Sequence, residues 1–227
     1  MRTVLFALLL VLTACLPLGC EQVNVPNPSD LPTDTVSSAT ASRFRASEIR
    51  EFQGTFLSPA IGPRDNSIAG IQQVDISQYQ LSIDGLVDNP QKHTYDEVIA
   101  LTSHQRLIRL FCVEGWDATI LWQGVLLNDL FQPAGVKAEA VTVIFHGVDG
   151  YTTSLPLDVV KDRQLILAYM ANGLPLPAEM GYPFIVVAED RFGYKWARWV
   201  ERIELSSEQY YRGYWESFGY SIDGEIR

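Results

Sequence analysis

The residue best suited to chemistry is Cys112, because it is the one cysteine that lies beyond the N-terminal region of the chain. It belongs to the stretch Arg109–Trp116. The apolar run Leu107–Phe111 predicts a buried strand, and Gly115 with Asp117 predicts the turn that ends it. Cys112 is therefore expected where a rigid strand gives way to a loop, which is where scaffolds usually present reactive groups.

The first 20 residues have the features of an export signal. A basic second residue precedes the apolar run Val4–Leu12, which is too short to span a bilayer if it stops there. Leu12-Thr13-Ala14-Cys15 resembles the bacterial lipobox, in which the cysteine after the cleavage point is lipidated. We therefore predict a signal peptide with lipidation of Cys15, or of Cys20 as a second candidate. An ordinary cleaved signal and an uncleaved anchor are the alternatives.

Composition divides the remainder into a tether and one domain. Residues 21–45 are rich in Pro, Ser, Thr and Asp, so they bury too little apolar surface to order themselves and predict a disordered tether. Residues 46–227 have the length of a single domain, in which several strands and a few short helices predict a strand-rich α+β fold. Val159–Ala171 is predicted to be one of these helices. A net charge of −10 argues against nucleic acid as a partner.

Four motifs occur in order along this domain: Cys112–Trp116, Trp122–Val125, Asp149–Tyr151 and Gly193–Trp199. In order and separation they resemble the molybdopterin-binding domain of the sulfite oxidase superfamily. The nearest resemblance is to the bacterial branch that includes the periplasmic methionine sulfoxide reductase catalytic subunit, and it covers roughly residues 53–220. It implies the mixed, strand-rich fold of that superfamily and a molybdenum–molybdopterin cofactor.

The resemblance also implies roles for individual residues. Cys112 corresponds to the thiolate ligand of molybdenum, and soft thiolate sulfur suits such a metal. Gly193, Lys195 and Arg198 occupy the places of a glycine and two cations that bind the pterin phosphate in the family. The alternatives are a buried cysteine that acts as a small apolar side chain and a solvated hairpin with alternating charges.

Some positions depart from the family pattern. Ile185 replaces an arginine that relatives often carry, so Arg50 or Arg64 is expected to supply the missing phosphate contact. True sulfite oxidases tend to have an Asn-Arg pair shortly after the cysteine, whereas this chain has Trp116 and Asp117. An aromatic and an acidic side chain beside the metal disfavour a sulfite dianion. No general acid or base is predicted, and the three histidines lack metal-ligand spacing.

These observations predict an exported oxidoreductase that transfers an oxygen atom to or from a small substrate other than sulfite, with a two-electron redox change. The sequence has no haem-attachment motif and no iron–sulfur cysteine set, so a haem protein or a quinone-linked subunit is expected to exchange the electrons. The dimerisation domain of relatives is not recognised, which predicts a monomer. The predicted location is the periplasm or another extracytoplasmic membrane face, with a lipid anchor.

Two other functions remain open at this point. The signal region has no twin-arginine pair, although molybdopterin enzymes are usually exported folded by that route. This favours the alternative of a cofactor-free lipoprotein that keeps the fold as a binding or interaction module. In a third hypothesis, Cys112 is a nucleophile that a histidine base activates. The sequence shows no recognisable histidine motif for such a pair.

Overall fold

Two five-stranded sheets form the framework of the domain. The computed structural model describes residues 37–62 and 65–226. Within these residues, the strands are β1 (Glu51–Phe52), β2 (Thr55–Phe56), β3 (Leu81–Gly85), β4 (Gln91–His93), β5 (Ser103–Phe111), β6 (Asp117–Leu126), β7 (Thr142–Gly147), β8 (Thr152–Pro156), β9 (Ile166–Ala171), β10 (Leu174–Pro175), β11 (Ile185–Val187) and β12 (Val200–Ser206). The α-helices are α1 (Ser38–Ser47), α2 (Tyr95–Ile99), α3 (Leu127–Ala134), α4 (Leu157–Asp162) and α5 (Tyr214–Ser217), and single 3₁₀ turns cover Ala178–Met180 and Gly193–Lys195.

The first sheet has the strand order β10-β9-β6-β5, and β11 also pairs with β9. Its pairs are antiparallel, and β5 and β6 form a long hairpin in which Phe111 lies opposite Asp117. The second sheet has the order β4-β3-β12-β7-β8, in which the late strand β12 lies parallel to β3 and antiparallel to β7. The β5–β6 hairpin thus presents the residues between its strands at one end of the first sheet.

One apolar core joins the two sheets. Its buried members include Trp122 of β6, Phe145 of β7 and Ile203 of β12, and each of these side chains is excluded from solvent. Phe184 precedes β11 and is equally buried in the same cluster. Burial of such side chains is the main favourable contribution to folding. Trp122, which begins the second of the four sequence motifs, therefore packs in the core.

The structure confirms the predicted strand-rich α+β class and the strand that leads to Cys112. The predicted helix over Val159–Ala171 is wrong. Helix α4 ends at Asp162, Gln164 adopts a left-handed backbone with φ 50°, and the chain then enters strand β9. This strand lies inside the first sheet and is buried on both faces. Its sequence is therefore a continuous run of apolar residues. Periodicity cannot distinguish such a run from a buried helical segment.

Helix α1 overlaps the last residues of the predicted tether. The segment after it is anchored by Glu48, whose buried carboxylate accepts hydrogen bonds from the Ala60 amide and from Asn172 Nδ2. Helix α1 is linked to this anchor by the Arg45–Glu48 ion pair of 2.8 Å. Both lipidation candidates, Cys15 and Cys20, lie outside the described residues. None of the described helices has the length and apolar character required to cross a membrane.

Gly124 marks the point of closest approach between β6 and β9. A Cβ atom added there would lie 2.2 Å from the carbonyl oxygen of Leu167. We expect Gly124→Ala to force the strands apart and to lower the free energy of unfolding by about 2–4 kcal/mol, as overpacking does. Urea denaturation measures this loss. The matched control is Gly62→Ala, because no atom lies within 4 Å of an added Cβ there. Equal stability of the two variants would contradict the proposed contact.

Candidate functional site

Cys112 opens the loop of the β5–β6 hairpin. Its amide donates a hydrogen bond to the Trp116 carbonyl at 2.8 Å, and the Gly115 amide donates to the Cys112 carbonyl at 3.1 Å. Gly115 takes a left-handed backbone with φ 87°, which closes this tight loop and favours glycine. The thiol is free and about half buried. The structure therefore places Cys112 at the predicted junction of strand and loop.

A carboxylate lies next to this thiol. The Oε2 atom of Glu114 is 3.8 Å from Cys112 Sγ, and it accepts hydrogen bonds from Trp116 Nε1 at 3.0 Å and Asn66 Nδ2 at 3.4 Å. Burial raises the pKa of the Cys112 thiol, and the charge of Glu114 raises it further, against the lowering effect of nearby backbone amides. The thiol on its own therefore resists ionisation. A bound metal replaces the thiol proton and removes this cost.

Asp117, the acidic residue that the sequence analysis placed beside the metal, is paired with Arg109. Asp117 accepts two hydrogen bonds from the Arg109 guanidinium, at 2.8 and 2.7 Å. This pairing lowers the pKa of Asp117 and balances its charge. Glu114, which sequence reasoning missed as a functional residue, is the carboxylate in contact with Cys112. Its position two residues after the cysteine was the available signal, but side-chain direction in a tight loop cannot be read from spacing.

The predicted phosphate-binding segment lies against the strand that carries Cys112. Phe192 forms a parallel bridge with Phe111, and a Cβ added to Gly193 would lie 3.5 Å from the Phe111 carbonyl oxygen. The structure therefore brings Gly193 close to the end of β5 that carries Cys112, and its contact with the cofactor phosphate stays a prediction. In the same loop, the buried Nε of Arg191 has no hydrogen-bond partner among the described residues. An anionic ligand would satisfy such a donor.

Lys195 lies in a different environment from the predicted one. Its side chain is excluded from solvent, and Nζ contacts Glu216 Oε1 at 2.5 Å and the Ile222 carbonyl at 2.8 Å. Thr153 donates a further hydrogen bond of 2.6 Å to the same carboxylate oxygen. Burial lowers the pKa of Lys195, while Glu216 acts in the opposite direction. Lys195 thus has an internal counter-ion, and its contact with a cofactor phosphate stays a prediction.

Arg198 connects the site to the N-terminal loop. Its Nη1 lies 2.7 Å from Asp65 Oδ1 and donates to the Glu179 carbonyl at 3.0 Å, with one fifth of the side chain exposed. Asp65 precedes Asn66, whose amide group reaches Glu114. The loop at residues 65–66 therefore bridges Arg198 and the Cys112 hairpin. Spacing gave no sign of this bridge, because Asn66 and Glu114 are 48 positions apart and Asp65 and Arg198 are 133 positions apart (198 − 65).

Arg50 and His146 each have hydrogen-bond partners of their own. Arg50 donates to the Arg45 carbonyl at 3.3 Å near the β1–β2 hairpin, and its contact with the cofactor phosphate stays a prediction. Arg64 lies outside the described residues. His146 Nε2 lies 3.1 Å from Glu204 Oε2 and 3.1 Å from Arg202 Nη1. Burial lowers the pKa of His146, and the structure gives it the role of a hydrogen-bonded sheet residue.

These residues fit a molybdenum–molybdopterin group. Cys112 offers a soft, accessible sulfur that would hold the metal. Gly193 permits close backbone approach. Arg191, whose Nε has no partner among the described residues while its Nη2 pairs with Glu225 at 3.4 Å, and the partly exposed Arg198 would hold the anionic phosphate. Sequence reasoning did not name Arg191, because it does not belong to the Gly-x-basic pattern of the family.

Comparison with known proteins supports this assignment. The family model described as "Oxidoreductase molybdopterin binding domain" matches residues 68–215. The chain is 37% identical over 152 residues to the oxidoreductase YuiH of Bacillus subtilis, which covers 66% of this chain and 76% of YuiH. It is 31% identical over 154 residues to YedZ1 of Azospira oryzae, named as a candidate protein-methionine-sulfoxide reductase subunit, with 68% of this chain and 58% of YedZ1 covered.

A solved structure shares the fold. The sulfane dehydrogenase SoxCD from Paracoccus pantotrophus superposes with a TM-score of 0.62 at 22% identity, covering 86% of this chain and 56% of that chain. The fold, the position of Cys112 and the family match agree with the resemblance drawn from the four sequence motifs. The chain belongs to the family of oxidoreductase molybdopterin-binding domains and is a molybdenum–molybdopterin oxidoreductase.

Proposed function

We propose that this protein reduces a sulfoxide, such as methionine sulfoxide, to the corresponding thioether. The reaction consumes two electrons and two protons and releases the oxygen atom as water. The cofactor, when bound at Cys112, supplies the oxygen-atom exchange and the two-electron redox change. The similarity to YedZ1 supports this substrate class, since YedZ1 is named as a candidate reductase subunit for methionine sulfoxide in proteins.

The shape of the Cys112 loop is the observation that carries the proposal. Val113 and Trp116 flank the thiol, and each is 46% exposed. They leave the metal position open to a side chain that projects from another protein, and they offer apolar surface to the carbon groups of a sulfoxide. Cys112 itself is only half buried, so access does not require the hairpin to open. An external protein is expected to deliver the electrons.

Metal analysis and turnover test this function together. The full-length chain would be expressed with its signal in a bacterium that makes the molybdenum cofactor. We expect close to one molybdenum per chain, and oxidation of a reduced viologen dye only when methionine sulfoxide or dimethyl sulfoxide is added. Sulfite with an electron acceptor should give little or no turnover. A folded protein without molybdenum would favour the cofactor-free binding module, and turnover of sulfite alone would contradict the sulfoxide assignment.

The proposal extends to location. We place the protein as a monomer on an extracytoplasmic membrane face, tethered through lipidated Cys15 or Cys20. Metabolic labelling with a fatty acid, followed by mass spectrometry of the N-terminal peptide, identifies the modified cysteine. Label on neither cysteine would contradict the anchor without affecting the enzymatic proposal.

A further inference from the structure

We infer that Glu114 is a specificity-determining residue that selects neutral substrates over anions at the Cys112 site. This inference rests on the proposed function and names the charge class of its substrate. The carboxylate lies 3.8 Å from the sulfur that would hold the metal. A ligand that approaches the metal from the hairpin loop therefore comes within a few ångströms of a negative charge.

The position of this charge is fixed by two donors. Trp116 Nε1 and Asn66 Nδ2 both donate to Oε2 of Glu114, at 3.0 and 3.4 Å. One donor comes from the hairpin itself and the other from the N-terminal loop, so the carboxylate is held on the thiol side of the loop. Neither donor is Cys112 itself, so a metal held by the thiolate would replace only the weak contact between the thiol and Glu114.

Among the described residues, the cations of the hairpin and of the neighbouring loop are paired with other carboxylates. Arg109 is paired with Asp117, and Arg198 is paired with Asp65. Within residues 37–62 and 65–226, no ion pair includes Glu114. The carboxylate is exposed, so solvent reduces its influence without removing it at contact distance.

A sulfoxide matches this arrangement better than an oxyanion does. It carries no net charge, and its carbon substituents can pack against the half-exposed Trp116 ring. Sulfite or a similar anion would gain nothing from the ring and would be repelled by Glu114. Like-charge repulsion at about 4–6 Å in a solvent-exposed site corresponds to roughly a five- to tenfold discrimination per unit charge.

The first test uses the thiol itself as the probe and needs no cofactor. The full-length, cofactor-free chain would be treated with iodoacetamide, which is neutral, or with iodoacetate, which is an anion of similar size. Mass spectrometry of the Cys112 peptide would give both rates, so Cys15 and Cys20 do not interfere. The ratio of the two rates is independent of the thiolate fraction, because both reagents attack the same thiolate.

We expect the preference for iodoacetamide to fall about fivefold in Glu114→Gln. It should stay unchanged in Glu139→Gln, which makes the same change of charge at an exposed position on the loop between α3 and β7. High salt should reduce the preference of the parent protein toward that of Glu114→Gln. An equal ratio in Glu114→Gln and the parent protein would overturn the inference.

A second test uses the molybdenum-loaded enzyme. Sulfite should inhibit sulfoxide reduction competitively about fivefold more strongly in Glu114→Gln than in Glu139→Gln. Unchanged inhibition would overturn the inference even if sulfoxide turnover is confirmed. If sulfoxide turnover is absent but the alkylation ratio shifts as expected, the charge selection stands and the proposed function fails.

Discussion

Cys112→Ser is expected to abolish molybdenum retention and to lower sulfoxide turnover by at least about 100-fold. Serine keeps the size of the side chain, but its hydroxyl is a hard and weakly acidic donor that cannot replace thiolate sulfur on a soft, redox-active metal. Elemental analysis and the viologen assay measure the two losses on the same preparation.

The fold should survive this change. Cys112 is half buried at the end of a hairpin and has no disulfide partner, so the loss of one sulfur atom removes little packing. We expect the thermal unfolding of the cofactor-free Cys112→Ser chain to match that of the cofactor-free parent. A Cys112→Ser protein that binds molybdenum with the parent stoichiometry would refute the assignment of the metal ligand.

Glu216→Ala is expected to lower the free energy of unfolding by about 3–5 kcal/mol. The substitution leaves the Lys195 ammonium buried without its counter-ion, and an uncompensated buried charge is among the most destabilising changes in a protein. Thr153 loses its acceptor at the same time. Denaturant unfolding of the cofactor-free chain gives the magnitude.

A double variant separates the effect of the buried charges on stability from the effect of side-chain volume. Lys195→Met combined with Glu216→Leu removes both charges and retains apolar bulk, so it should recover much of the stability that Glu216→Ala loses. Glu208→Ala provides a control, since this carboxylate is exposed in the chain that leads to α5. If Glu216→Ala were as stable as Glu208→Ala, the buried pair would not support the segment that carries Gly193.

Local patterns were sufficient to predict the strand and the glycine turn that present Cys112. These two elements are close in sequence, so residue type and spacing determine their geometry. The cap of helix α2 is equally local, because Thr94 and Glu97 form a capping box three residues apart. The family motifs then supplied the cofactor, which no periodicity in this chain indicates.

The contacts that local patterns missed involve distant partners. The family resemblance assigned Lys195 to the cofactor phosphate, and no local pattern indicated its ion pair with Glu216, 21 positions later. Glu114 and Asn66 meet across 48 positions, and no local rule relates them. Strand β9 was predicted as helix because its burial on both faces depends on strands elsewhere in the sheet. Local sequence patterns indicate which residues are suited to a site. Tertiary contacts decide which of those residues lie next to each other.

The place of β12 in the second sheet has a consequence for how the protein matures. This strand fills the centre of the sheet, yet its partner β3 lies more than 100 residues earlier in the chain. Contacts of such high sequence separation form slowly. The sheet therefore cannot close until nearly the whole domain has been synthesised, and the loop just before β12 reaches Cys112 only at that late stage. The surroundings of Cys112 are consequently completed by one of the last segments of the domain to be made.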